Sequence, residues 1–417
     1  MMNRIAILLF FIVFTACKTT NTTTTITPKV YTFQDDVSFL ADDKLEGRNT
    51  GSAGEKMAAD YIAKRFKTIG LQPRGTNGYF QEFTFTPRKD PHSNVSYTDD
   101  KSDNTITGTN IVGYLNNNAP STVIIGAHYD HLGYGGEASG SLYRGQEKLI
   151  HNGADDNASG VALMLNLAAR LKNADKNNNY LFLSFSGEEM GLLGSNYFVK
   201  NTTVSIDSVN YMLNMDMVGR LKADSTLAVY GVGTSPVFKE VIEMQNKDFK
   251  LIEKESGVGP SDHTSFYLMD IPVLHFFTGQ HEDYHRPSDD FDKLNYQGMQ
   301  ELSDYIFNII TDLNDNGKLA FTKTKNESDD APRFKVTLGV VPDYLFDGKG
   351  MRIDGVSEDK PAQKAGLQKG DVVVQLGDYE VTDMMSYMKA LSKFEKGNTT
   401  TVKVERDGKI IETNLTF

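Results

Sequence analysis

The sequence predicts an α/β protein in which a mostly parallel central sheet, flanked by helices, is followed by a small β-rich domain. Three observations carry that expectation. Short β-branched apolar runs alternate with helical patterns over residues 31–321. Apolar periodicity lapses in the charged, proline-terminated stretch 322–332 (TKTKNESDDAP), which reads as a linker. Residues 333–417 then return as short strands separated by Gly and Asp turns. In the larger block the clearest strands are Thr122–Ala127, Tyr180–Phe185, Tyr211–Met215 and Ile271–Phe276. Its clearest helices are Glu55–Ile69, stopped by Gly70, then Ser159–Lys172 and Tyr296–Leu313. In the smaller block the strand candidates read FKVTLGV, GMRIDGV, DVVVQLG, TTVKVER and KIIETNL. With 417 residues, 39% of them hydrophobic, the chain has apolar material for more than one core.

The N-terminus has a different logic. Arg4 precedes an apolar run from Ile5 to Phe14, and Thr15, Ala16 and Cys17 follow, so residues 1–16 read as a signal peptide too short to span a bilayer. Cysteine directly after a small residue resembles the bacterial lipoprotein signal, which implies that Cys17 becomes the acylated first residue of an exported chain. That chain would be membrane-anchored in the cell envelope, on the periplasmic side or at the cell surface. An ordinary secretory signal that happens to contain a cysteine is the alternative. Residues 17–30, rich in threonine, suit a flexible tether. As the single cysteine, Cys17 excludes an intramolecular disulfide, a cysteine-only zinc site and a Cys/His nucleophile pair in the folded region. A net charge of −12 argues against a nucleic-acid partner.

The chemistry gathers where the predicted strands end, the edge at which open parallel sheets bind ligands. His128-Tyr129-Asp130 follows the first strand, Glu188-Glu189 the second, Asp216 the third, and Tyr284-His285 lies beyond the fourth. Asp155 and Asp156 open the helix between the first two strands. Imidazole with carboxylate is the ligand chemistry of hydrolytic zinc, and two adjacent ions need a shared carboxylate. Asp155 is the candidate bridge, with His128 and Asp216 completing one ion and Glu189 and His285 the other. Asp130, two residues from His128, can orient that imidazole. Glu188 would face the attacking water as general base.

These residues resemble the co-catalytic di-zinc aminopeptidases, a family whose wider membership includes glutamate carboxypeptidase and the glutaminyl cyclases. The motifs are GAHYDHLG (126–133), NGADDNASG (152–160), SGEEMGLLGS (186–195), NMDMVG (214–219) and YHRPSDD (284–290), with LEGRNTGSAGE (45–55) toward the N-terminus. The resemblance implies the zinc exopeptidase fold, two zinc ions per chain held by His128, Asp155, Glu189, Asp216 and His285, and peptide substrates. It further implies Glu188 as base, a cis peptide at Asp155-Asp156, Tyr284 as hydrogen-bond donor to the oxyanion, and a supporting role for Ser261-Asp262-His263. His275 reads as core. Residues 351–377 resemble a bacterial PDZ domain, in which Leu338, Gly339 and Val340 would form the loop that receives a peptide carboxylate, beside a helix at residues 386–391. The expectation is therefore a zinc exopeptidase that removes N-terminal residues, with a PDZ groove for a peptide C-terminus or protein partner. Three alternatives remain: a carboxypeptidase acting on acidic C-termini, a glutaminyl cyclase, or a non-catalytic peptide-binding scaffold. The cyclases commonly line their pocket with tryptophan, and this chain has none.

Overall fold

A computed structural model describes residues 31–87, 95–136, 139–174, 176–325, 335–343, 346, 348–357 and 359–417. The signal peptide, the tether with Cys17 and residues 326–332 of the linker lie outside the described residues.

The larger block contributes strands β1 (Gln72–Pro73), β2 (Phe80–Thr86), β3 (Ser96–Tyr97), β4 (Ile106–Leu115), β5 (Thr122–His128), β6 (Asn179–Phe185), β7 (Val209–Met215), β8 (Thr226–Tyr230), β9 (Lys250–Lys254) and β10 (Val273–Phe277). Its principal helices are α1 (Phe33–Leu40), α2 (Ala53–Ile69), α3 (Gly160–Leu171), α4 (Leu193–Lys200), α5 (Phe238–Gln245), α6 (His263–Tyr267) and α7 (Tyr296–Leu313). The strands form one sheet in the order β3-β2-β4-β6-β5-β7-β10-β8-β9, with β1 on β4. Its centre, β6-β5-β7-β10, is parallel as expected. Antiparallel pairing takes over on both flanks, at β4 on β6 and at β8 on β10.

The central strands are parallel because they are buried on both faces. Every residue of β5, β6 and β7 is buried, which requires the uninterrupted apolar runs visible in the sequence. Side-chain alternation then divides each strand between two cores. Val123, Ile125, Phe182, Leu213 and Phe276 pack toward α1, α2, α3, α5 and α7, whereas Ile124, Leu181, Leu183 and Met212 pack toward α4 and α6. Helix α2 begins where the Ser52 side chain accepts from Glu55 N and ends at Gly70, whose φ of +94° suits glycine. Because the four central strands are parallel, their C-terminal ends share one edge, and the predicted ligands follow from it.

The C-terminal block folds around its own core, which includes Leu338, Met351, Ile353, Val373, Leu376, Tyr387 and Val404. Strands β11 (Val340–Pro342), β12 (Met351–Val356), β13 (Val372–Leu376), β14 (Tyr379–Glu380), β15 (Thr399–Arg406) and β16 (Lys409–Thr416) pair antiparallel in the order β11-β12-β13-β15-β16, with β14 on β13. Two helices accompany them, α8 (Pro361–Lys364) and α9 (Met384–Leu391). Of the described residues of the expected strand FKVTLGV, only Val340 lies in a strand. Gly339 turns the chain at φ +77°, and the Leu338 carbonyl accepts from Ala362 N (2.8 Å) instead of joining a ladder.

Below the sheet edge, Glu55 is buried against Ser186, accepts from Gly51 N at 2.6 Å and faces the Tyr129 hydroxyl at 3.3 Å. Burial pushes its carboxyl up to about 8, more than these hydrogen bonds pull it down. The folded chain therefore holds the Glu55 proton more tightly than the unfolded one, and that stability is lost as pH rises from the ordinary carboxyl range through about 8. Glu55→Gln should consequently gain on the parent between pH 5.5 and 9. Thermal melts of the two proteins across that range provide the check, and parallel curves would contradict the argument.

Candidate metal centre

Strand β5 ends at His128, which the next turn holds in a narrow setting. His128 Nδ1 lies 3.3 Å from the Asp130 carbonyl oxygen and 3.7 Å from its carboxylate, while Nε2 faces Asp216 Oδ1 and Asp156 Oδ1, each at 3.3 Å. On the other side, His285 Nε2 faces Asp156 Oδ2 at 3.2 Å and Glu189 Oε2 at 3.3 Å. The carboxylate shared by the two imidazoles is thus Asp156. Asp155 Oδ1 instead accepts from Gly219 N at 2.6 Å, and its Oδ2 faces His281 Nε2 at 3.1 Å, so both oxygens are already engaged. This corrects the bridge expected at Asp155. The cis peptide is displaced in the same way, falling at Asp156-Asn157 rather than Asp155-Asp156.

The remaining expectations meet at the same place. Glu188 gathers with His128 and Asp216 within 4.8 Å, and Glu189 gathers with Asp156 and His131 within the same span. Buried Asp130 accepts from Glu188 N (3.1 Å) and from the Thr50 hydroxyl (3.0 Å), so besides facing His128 it positions the backbone of Glu188. Tyr284 stacks on His285 with ring centroids 3.8 Å apart. His285 in turn is steadied through Nδ1, 3.0 Å from the Gly140 carbonyl. In the PDZ-like block Leu338 is buried and Gly339 N donates to the Thr337 hydroxyl at 3.0 Å, so that amide is already engaged.

Several participants were not assigned to the centre from the sequence. His131 Nδ1 lies 2.8 Å from Glu189 Oε1, which puts Glu189 between two imidazoles. The second histidine of GAHYDHLG was the available signal. Asp289 accepts from the amides of both Asp155 (3.0 Å) and Asp156 (3.1 Å), fixing the turn that carries the shared carboxylate. Arg48 is wholly buried and donates to the carbonyls of Tyr129 (2.7 Å), Asn152 (2.6 Å) and Gly153 (2.9 Å), and also to Leu40. Its guanidinium joins the segment after β5 to the segment before Asp155, and each carbonyl left unpaired there would cost about 1–3 kcal/mol. Arg48 could not be read as such because its partners are backbone atoms, most of them some 80 to 105 residues away.

Electrostatics favour a cation. Burial works against charge on His128, but the Asp216 and Glu188 carboxylates overcome it and hold that imidazole well above its ordinary range. Glu189 and Asp156 do the same for His285. Asp156 is held well below the usual carboxylate range despite its burial, by hydrogen bonding to His128 and the positive field of His131. Burial raises Glu188, and the neighbouring Glu189 and Asp216 carboxylates add to that. Four carboxylates facing three imidazoles in a buried cluster make a nitrogen and oxygen donor set suited to divalent zinc, whose charge would replace those protons.

Residues 110–310 match the model of peptidase family M28, and residues 320–417 match that of the PDZ domain. This chain carries an M28 peptidase domain. Aminopeptidase YwaD of Bacillus subtilis is 28% identical to it over 216 residues, covering 48% of this chain and 43% of that protein. The chain spans about half the length of the curated relatives it matches. Among solved structures, a Zn-dependent exopeptidase from Parabacteroides distasonis aligns with TM-score 0.53 at 19% identity, over 68% of this chain and 99% of that one. A glutaminyl cyclase from Porphyromonas gingivalis aligns equally well, with TM-score 0.53 at 16% identity over 67% and 97%. These structures share the fold with the M28 domain, and the fold alone does not separate their chemistries.

The two neighbouring aspartates give a sharp contrast. Asp156→Asn should lower bound metal per chain several-fold, while Asp155→Asn should retain metal and lose about 1–3 kcal/mol of stability through its weakened bonds. Elemental analysis beside denaturant unfolding checks both, and metal loss confined to Asp155→Asn would reverse the assignment.

Proposed function

We propose that this chain is a zinc-dependent aminopeptidase that hydrolyses N-terminal residues from peptides. The observation that carries the reading is the Asp156 carboxylate, which faces His128 with one oxygen (3.3 Å) and His285 with the other (3.2 Å). One carboxylate flanked by two imidazole-carboxylate sets is the arrangement needed to hold two ions side by side. His128, Asp216 and Asp156 would hold one, and His285, Glu189 and Asp156 the other. Bound zinc would supply Lewis acidity and lower the pKa of water.

The protein's own groups do the rest. Glu188 stands beside His128 and Asp216, held by the Asp130 contact to its amide. From there it takes a proton from the attacking water and passes it to the leaving amine. The Tyr284 hydroxyl donates to the developing oxyanion while its ring stays packed on His285. Imidazole orientation comes from Asp130 at His128 and from the Gly140 carbonyl at His285.

The deciding assay is hydrolysis of free and N-acetylated aminoacyl-p-nitroanilides and peptides, with metal counted in the same sample. Cleavage restricted to free amines, with close to two metals per chain, supports the proposal. Cyclisation of N-terminal glutamine, or cleavage only from acidic C-termini, would replace it with a relative's chemistry. For Glu188→Ala, hydrolysis should fall at least about 10²-fold with metal content unchanged. Loss of metal in that variant would make Glu188 a ligand.

We further propose that the chain is exported and anchored through acylated Cys17. Labelled palmitate should enter the parent protein in cells and should be absent from Cys17→Ala; equal labelling would end the proposal.

A further inference from the structure

Between β5 and the turn that carries Asp156 the chain makes a long excursion, residues 134–150, with no helix or strand among its described residues. Its two ends are closed on each other, since His151 N donates to the Gly133 carbonyl at 2.8 Å. Long loops without regular structure usually serve a site. This one lies against His285. The His285 imidazole has Nδ1 3.0 Å from the Gly140 carbonyl, and its backbone carbonyl accepts from Leu142 N at 2.9 Å. Residues 140 and 142 thus hold both the side chain and the main chain of one candidate ligand.

The residue between them ties that stretch down. Ser141 is buried, with its hydroxyl 2.7 Å from His151 Nε2, and it accepts from Tyr143 N at 3.1 Å. His151 is buried too, and its Nδ1 lies 3.2 Å from the Leu149 carbonyl. With Nδ1–H donated to that carbonyl, Nε2 carries the lone pair and the Ser141 hydroxyl donates to it. Burial pushes His151 down to about 4, so the ring is neutral and the lone pair is available near neutral pH. The ring also has little room to turn. A Cβ on Gly135 would stand 2.5 Å from His151 Cε1, a close approach that only glycine allows.

We infer that His151 is a positioning residue for the metal centre: through Ser141 it pins residues 140–142, and these set the orientation of His285. The inference deepens the aminopeptidase reading and rests on it in one respect, that His285 holds a metal ion. On that reading His285 shares its ion with Glu189 and Asp156, while His128 and Asp216 hold the other with Asp156. The pin therefore governs one ion of the two. Hydrogen-bond partners that orient a metal ligand commonly change affinity about 10- to 100-fold.

The test is zinc affinity, measured on the full chain stripped of metal and titrated with zinc against a chromophoric chelator, so that catalysis plays no part. The parent should bind two ions. Ser141→Ala and His151→Ala should each weaken one of them at least about tenfold and leave the other within about threefold. His151→Gln, whose side-chain oxygen stands in for Nε2 as acceptor, should recover most of that loss. The double variant Ser141→Ala/His151→Ala should be no weaker than the poorer single variant, because one hydrogen bond is lost only once. Losses that add in the double variant, or no recovery with glutamine, would assign His151 to packing and overturn the inference. Two ions held by the parent and held equally well by both single variants would overturn it while leaving the aminopeptidase reading standing. A parent that binds no zinc would overturn both. If His151→Ala fails to fold, Ser141→Ala, which removes one hydroxyl and leaves the ring in place, still decides.

Discussion

One constraint organises this molecule: four carboxylates must share a buried space at the end of a parallel sheet. Brought together in low dielectric, like charges repel and each pays for lost hydration. Imidazoles interleave with them, so that Asp156 lies between His128 and His285, and Glu189 between His131 and His285. The alternation relieves repulsion and prepares the donor atoms for a doubly charged ion.

The surrounding structure is the scaffold this arrangement requires. Ligands come from four separate strand-end loops, and loops alone would not hold them to a few tenths of an ångström. Buried polar groups therefore tie the loops to one another through the backbone. Arg48 joins the stretch after β5 to the stretch before Asp155 through their carbonyls, Asp289 grips the two amides beside the shared carboxylate, and Asp130 connects the β5 loop to the β6 loop. Asp155 belongs to this set. It braces the turn after Asp216 through Gly219 and leaves coordination to its neighbour.

The PDZ domain is also attached close to the chemistry. Lys369 bridges to Glu282 at 3.3 Å, three residues before His285, and to Asp354 in its own domain at 3.2 Å. The exposed Lys369–Glu282 pair contributes little stability, so its interest lies in placement. The domain sits against the loop that carries Tyr284 and His285.

Much was legible beforehand, for reasons that differ between elements. Strands β5, β6, β7 and β10 were readable because burial on both faces demands continuous apolar runs, and α2 and α7 because their apolar stripes repeat with the helical period. The flanking strands β2, β4, β8 and β9 were not singled out; β9, part-exposed at most positions, carries a weak pattern, while β8 is almost wholly buried. His128, Glu189, Asp216 and His285 could be named from their positions after strands. The choice between Asp155 and Asp156 could not, because adjacent residues of one type differ only in where the turn directs them, and Asp289 and Gly219 set that turn from distant parts of the chain. Sequence alone determined the donor chemistry and the sheet edge that presents it. Tertiary structure decided which carboxylate is shared and that Arg48 and His131 belong to the centre, because each depends on contacts between segments far apart in the chain.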